Sequence, residues 1–234
     1  MRKLSIPVGA AVTSLMLGSG PVAADEPLWA IQVENAEYRG GDNLSVFAWD
    51  LDAYVGSDEF KVVWRSEGEF DLKDETFETL ENQIRGQVPI STFFDAVAGV
   101  RVDTTRGSTR AHAVVGVKGL APQWFEIDAD FYISDYPEFR FEAEYEALLT
   151  NRIILTPSVE ISVPFRDDPA MEVSAFGPKL EVGLRVSYDL IDRAVSPYVG
   201  VHYERVFGGT ADLVRAGGED AGELFFVAGV RFMY

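Results

Sequence analysis

The clearest pattern in the chain is a strict alternation of apolar and other residues over its last positions, 224–234. Leu224, Phe226 and Ala228 begin one apolar face, which continues to the terminal aromatic residue, Tyr234. Successive side chains of a β-strand point to opposite faces, so this period of two predicts a strand with one apolar side. A terminal aromatic residue on such a face is typical of the closing strand of an outer-membrane barrel.

The same alternation recurs along the rest of the chain, most cleanly at 139–149, where the opposite face is Arg140, Glu142, Glu144 and Glu146. A helix is excluded there because positions three and four apart would mix Phe with Glu on every face. The pattern predicts strands at 28–39, 44–55, 58–70, 76–89, 92–103, 109–119, 123–134, 138–149, 152–165, 178–190, 196–207 and 222–234. Twelve strands place both termini on the periplasmic side. Ten is the alternative, because the first pattern breaks at Asn35 and Glu37.

The length of these segments favours a membrane barrel over a soluble one. Soluble strands usually have five or six residues, whereas twelve residues tilted by about 40–45° cover about 28 Å of the membrane normal. The polar faces carry charges of both signs, which a closed interior can pair. We therefore predict an all-β antiparallel transmembrane barrel with apolar side chains toward lipid and an interior filled by ion pairs.

Residues 1–24 read as a cleaved signal peptide. Arg2 and Lys3 precede a short apolar core at 6–17, and Val22-Ala23-Ala24 is a small-residue cleavage site. Residues 25–234 are then expected to form one barrel domain in the bacterial outer membrane.

Composition removes several classes of function. The chain has 20 basic and 38 acidic residues, a formal net charge of −18, which argues against a nucleic-acid partner because phosphate binding needs clustered Lys and Arg. It has no cysteine, which excludes disulfides, thiolate metal sites and a cysteine nucleophile. Outer-membrane lipid is the partner expected for the apolar faces.

Two ladders of carboxylates are predicted on neighbouring antiparallel strands that face the lumen. Like charges in one interior are costly unless arginines or a bound cation counter them. The alternatives are a structural ion-pair network and a cation path or weak metal site. The side chains concerned are Glu126, Asp128, Asp130, Glu142, Glu144 and Glu146, with Arg65, Arg101, Arg140 and Arg185 as the counter-charges.

Both histidines fall on polar strand faces, so both imidazoles are expected in the lumen. His112 lies with Arg110, and His202 lies two positions from Glu204. Imidazole and carboxylate together suit Cu(II), and the thioether of Met171, in an outer loop, suits Cu(I). The alternative is that each histidine is a hydrogen-bonded member of the charge network.

The sequence resembles the copper resistance protein B family of outer-membrane barrels. The runs that carry the likeness are WD at 49–50, EGE at 67–69, GLAP at 119–122, WFE at 124–126, AEY at 143–145, LLTNR at 148–152, PYVGV at 197–201, ERVFGGTAD at 204–212, GED at 218–220 and VAGVRF at 227–232. The resemblance implies a protein of copper homeostasis that binds copper ions and helps cells to tolerate excess copper. It also implies periplasmic copper proteins as possible partners.

The chain departs from that family in lacking a Met- and His-rich segment before the barrel, so capture of Cu(I) by thioether clusters is not expected. A structural or gated pore without a metal role is the second hypothesis. An outer-membrane lipid hydrolase is the third, but it needs Ser, His and an acid on the lipid-facing rim, and both histidines face inward. We therefore predict a protein that is not an enzyme. The Gly208-Gly209 segment is not expected to bind phosphate, because no lysine and no helix are expected after it.

Overall fold

The computed structural model of the protein describes residues 28–41, 45–105, 108–191 and 193–234. The predicted signal peptide, 1–24, lies outside the described residues and stays a prediction. The strands are β1 Leu28–Gly40, β2 Ser45–Gly56, β3 Lys61–Asp71, β4 Thr76–Pro89, β5 Phe94–Thr105, β6 Ser108–Ala121, β7 Phe125–Ile133, β8 Glu138–Tyr145, β9 Ala147–Leu148, β10 Ile153–Pro164, β11 Lys179–Tyr188, β12 Val195–Val206 and β13 Gly222–Met233. One helix, α1 Gly208–Gly217, lies between β12 and β13.

The strands close into an antiparallel barrel of twelve staves, where one stave is one full crossing of the barrel wall by the chain. Each strand pairs with its neighbour in the chain, and β1 pairs with β13 to complete the ring. β8 and the two-residue β9 both pair with β10 and are consecutive parts of one stave. The twelve-strand prediction is therefore confirmed over the ten-strand alternative.

The irregular pattern of the first strand has a structural cause. The register between β1 and each of its neighbours shifts between Val33 and Ala36. Such a β-bulge inserts a residue and resets which side chains point inward. In this barrel it leaves Glu37 fully buried, so a glutamate that broke the sequence pattern becomes part of the lumen.

The two faces of the barrel have the polarity predicted for a membrane protein. Phe226 is 69% exposed and Ile84 is 58% exposed on the outer surface, whereas Glu37 and Arg85 are 0% exposed inside. A soluble domain places these groups the other way round. The outer face therefore fits a hydrocarbon environment, in which the closed ring also satisfies the backbone hydrogen bonds.

The connections at the two ends of the barrel differ in length. The end that carries Leu28 and Tyr234 has short connections at 57–60, 90–93, 122–124 and 149–152, and another between Tyr188 and Val195. The opposite end carries the long segments 165–178 and 207–221. Short turns are periplasmic and longer loops extracellular in barrels of this kind, so the long segments lie at the outer mouth.

Helix α1 corrects one sequence prediction, which expected no helix after Gly208. Gly208 has φ +58° and turns the chain out of β12, and Gly218, with φ +91°, ends the helix in the left-handed conformation that glycine adopts readily. The absence of a following lysine still speaks against a phosphate loop. Among the described residues, no helix has the length and apolar character that crossing a membrane would require.

The segment 165–178 folds across the outer mouth and is attached on two sides. On one side the carboxylate of Asp168 accepts hydrogen bonds from Arg110 of β6, at 2.9 and 3.0 Å. On the other side the Thr210 hydroxyl of α1 accepts from the backbone N–H of Ser174 at 3.0 Å and donates to the carbonyl of Gly177 at 3.1 Å. The segment therefore forms a roof over the lumen.

Candidate metal site in the barrel lumen

Beneath the roof lies a cavity of about 850 Å³ that extends along the barrel interior. Its lining reaches from Glu126 near the periplasmic end to Met171 in the roof. Among the described residues, fifteen carboxylate side chains and seven Lys or Arg side chains line it. This excess of negative charge inside low-dielectric walls concentrates cations in preference to anions.

Arginines counter much of the negative charge by bridging staves that are far apart in sequence. Arg85 of β4 contacts Asp128 of β7 at 3.0 Å and also contacts Asp130. Arg65 of β3 contacts the same Asp128 at 3.1 Å and Glu142 at 3.8 Å. These contacts hold opposite walls of the lumen together, as the ion-pair alternative for the carboxylate ladders requires.

The remaining arginines of the predicted network also have acidic partners. Arg101 contacts Glu81 at 2.8 Å, and Arg140 contacts the same carboxylate at 2.8 Å. Arg185 contacts Glu37 at 2.7 Å.

The predicted carboxylates near the periplasmic end have more open surroundings. Glu144 and Glu146 face Arg231 at 2.9 and 3.5 Å. Glu126 is exposed at the periplasmic end of β7.

In the outer half of the lumen, Glu181, His202 and Glu204 form a compact cluster. One potential ligand atom from each side chain lies within 4.8 Å of the others. β11 and β12 position them, because Glu181 is the register partner of Glu204 and His202 lies two positions before Glu204 on the same face. His202 is 4% exposed, and its Nε2 atom lies 3.2 Å from Oε2 of Glu181.

Two cationic side chains of the described residues border this cluster. Lys179 Nζ lies 2.8 Å from Oε1 of Glu181 and 3.0 Å from Oε2 of Glu204. Arg39 Nη1 lies 3.4 Å from Nε2 of His202. The ammonium group neutralises part of the negative charge of the two carboxylates. The cluster therefore already binds a cation, which is the side chain of Lys179.

The imidazole of His202 has an unused polar atom. Its Nδ1 is buried and has no hydrogen-bond partner among the described residues. Buried polar atoms are nearly always partnered, but Nδ1 of His112 is in the same state, and it is Nε2 of His202 that faces Glu181 and could join the two carboxylates as a ligand. One imidazole and two carboxylates form a donor set that suits a divalent transition metal such as Cu(II).

The structure does not bring the other predicted ligands to this cluster. His112 is buried with Nε2 3.2 Å from Asp103, and it lies on β6, five staves away from β12 around the ring. Met171 lies in the roof, where its sulfur accepts a hydrogen bond from the Thr105 hydroxyl at 3.0 Å. His112, His202 and Met171, which the sequence suggested as copper ligands, therefore lie at three separate places in the barrel.

Sequence reasoning did not select Glu181, although a signal for it was present. The short turn at 189–194 fixes β11 and β12 as an antiparallel hairpin. Counting back from that turn places an inward-facing acid of β11 opposite Glu204. Glu181 could therefore have been selected from the register of this hairpin, which the residue types alone do not give.

A closed antiparallel barrel with a lipid-compatible exterior, an ionic interior and short turns beside its termini defines an outer-membrane β-barrel protein. Within this class, the family described as "Copper resistance protein B precursor (CopB)" matches residues 27–234. The chain belongs to the copper resistance protein B family, and its role is in copper resistance at the outer membrane.

Individual relatives agree with this assignment. Copper resistance protein B of Escherichia coli is 33% identical over 208 residues, which cover 88% of this chain and 69% of the relative. A copper resistance protein B homolog of Pseudomonas syringae pv. tomato (strain ATCC BAA-871 / DC3000) is 32% identical over 203 residues, covering 86% and 68%. Among solved structures, the NanC porin superposes with a TM-score of 0.54 at 12% identity, covering 88% of this chain and 99% of that one, which shows the fold alone.

Proposed function

We propose that the barrel binds copper ions in its lumen at Glu181, His202 and Glu204, and that this binding is how it contributes to copper resistance. The observation that carries the proposal is the convergence of an imidazole and two carboxylates within 4.8 Å, where Glu181 and His202 line an acidic cavity. Imidazole and carboxylate together favour Cu(II) over Cu(I), which prefers thioether and thiolate sulfur. The protein would act as a non-enzymatic copper binder, in sequestration or in transport of the ion.

The charge of the cavity supports this proposal. Its excess of carboxylates would raise the local concentration of copper cations above that of the surrounding solution. Its roof would slow exchange with the exterior, which suits retention of the ion. We propose two kinds of partner. Lipid contacts the outer face, and periplasmic copper proteins bind at the end of the barrel that carries the short turns.

Titration of the refolded barrel with Cu(II) tests the site. His202→Ala should weaken binding by at least the roughly 10- to 100-fold that loss of an outer-shell partner costs a metal site. His112→Ala is the matched control, because His112 is also a buried lumenal imidazole beside a carboxylate and should leave the affinity unchanged. Each variant is first checked for folding by its heat-modifiable migration on a gel.

Equal affinities of wild type and His202→Ala would contradict the proposed site. A loss in His112→Ala alone would move the copper site to β6. Met171 stays a predicted Cu(I) ligand, and titration of Met171→Leu with Cu(I) tests it separately.

The roof favours a second candidate function, a gated pore without a metal role. Segment 165–178 spans the mouth between β6 and α1, as a gate would. Single-channel conductance that rises when Asp168 is replaced by Asn, together with no copper binding by the wild type, would support the pore. Copper binding that depends on His202 would favour the first proposal.

A further inference from the structure

The cluster of Glu181, His202 and Glu204 already holds a cation, which is a side chain of the protein itself. Lys179 Nζ lies between the two carboxylates, 2.8 Å from Glu181 and 3.0 Å from Glu204. A metal ion bound by both acids and by His202 would use the same two carboxylates, and its charge would lie close to the ammonium group. The ammonium group and the metal are therefore competitors for one site.

Of the two cationic side chains that the described residues place beside the cluster, Lys179 is the less firmly held. Arg39 is 11% exposed, and it donates hydrogen bonds to Glu37 at 2.8 Å and to Glu69 at 2.5 Å, so it is held from outside the cluster. Lys179 is 37% exposed at the first position of β11, beside the cavity. Its long, flexible side chain can move its charge away from the two carboxylates toward the open part of the cavity.

We infer that Lys179 is the selectivity-determining residue of the site, an internal cation that an incoming divalent copper ion must displace. This inference rests on the proposed copper site. A monovalent ion carries the same charge as the ammonium group and gains nothing by replacing it. A copper(II) ion brings two charges and also coordinates the imidazole, which the ammonium group does not contact, so the exchange favours the metal.

The exchange also sets the strength of binding. Releasing Lys179 costs two charge-assisted hydrogen bonds, and the displaced ammonium group stays nearby and can return. The site would therefore bind copper reversibly and more weakly than the same three ligands without the lysine. Such a site suits transfer of the ion better than permanent storage.

Cu(II) titration of refolded variants tests the inference. Lys179→Ala and Lys179→Gln should each bind copper about tenfold more tightly than wild type or better, because a unit charge within a few ångströms of the metal has been removed. Lys179→Arg keeps the charge and should stay close to wild type. Lys61→Ala is the matched control, since Lys61 is a lumenal lysine of similar exposure that pairs with Asp95 at 3.4 Å near the other end.

A second measurement follows the lysine itself. Copper should increase acylation of Lys179 by an amine-reactive reagent, read by mass spectrometry, and His202→Ala should abolish the increase. Unchanged affinity in both Lys179→Ala and Lys179→Gln, with copper binding still dependent on His202, would overturn the role of Lys179 and leave the proposed function standing. Absence of copper binding in the wild type and in every variant would overturn both.

Discussion

Glu37 is a fully buried charge in the barrel, and its removal gives a sharp test of the ion pairs in the lumen. The side chain is 0% exposed, and its carboxylate accepts four hydrogen bonds. Arg39 donates one at 2.8 Å, Arg185 donates two at 2.7 and 2.9 Å, and the Tyr198 hydroxyl donates one at 2.8 Å. One carboxylate thus joins β1 to β11 and β12.

Replacing Glu37 with Gln keeps the shape and removes the charge. Arg185 would keep the Ser158 hydroxyl, at 3.4 Å, as a side-chain acceptor among the described residues, and no carboxylate would remain against it. Removing one partner of a buried ion pair typically costs about 3–5 kcal/mol, because the other charge stays buried and unpaired. We expect a loss in this range from the free energy of unfolding, since the pairing of Arg39 with Glu69 survives the change.

Urea titration of the refolded barrel, followed by tryptophan fluorescence and gel migration, measures this loss as a lower midpoint at an unchanged slope. The control is Asp212→Asn, which breaks the exposed pair with Arg215 at 3.2 Å and should cost less than about 1 kcal/mol. A Glu37→Gln barrel within about 1 kcal/mol of wild type would refute the reasoning, because it would mean that the lumen is wet enough to solvate an unpaired guanidinium.

Two further predictions concern the roof and the outer face. Burial raises the pKa of Asp168, but hydrogen bonds from Arg110 and from the backbone N–H of Ala170 hold that pKa below its usual range. The roof contact should therefore persist at neutral pH and be lost only as the pH falls through this lowered pKa. Limited proteolysis of segment 165–178 should show this acid dependence, whereas Asp168→Asn should be cleaved equally at every pH. On the outer face, a Cβ at Gly68 would overlap the ring of Trp49, so Gly68→Ala should shift the tryptophan emission and cost about 1–3 kcal/mol, and an unchanged spectrum would contradict the packing.

Much of the fold could be predicted from the sequence, because the alternation of polar and apolar residues in each stave depends on that stave alone. A strand between lipid and lumen must alternate, and the alternation from Phe139 onward is visible without knowing what lies beside it. The same rule placed both histidines on the inner face. The bulge of β1 is the exception, since Asn35 broke the pattern and only the paired neighbours show that the register shifts there.

Contacts between staves could be predicted only where a short turn links them. Counting residues from the turn could have predicted that Glu181 faces Glu204. It could not have predicted that Lys179 lies between their carboxylates. The helix at 208–217 was missed because its two boundary glycines read equally well as a flexible loop.

The sequence by itself determined the number of staves, the face that each residue takes outside the bulge of β1, and the class of membrane protein. The tertiary structure alone decided which residues meet across the lumen: Arg85 with Asp128, the roof residue Asp168 with Arg110, and His112 far from His202. The physical reason is that alternation is a property of one strand in contact with lipid. Height and distance across the lumen depend on the tilt and stagger of the closed ring, which no single strand encodes.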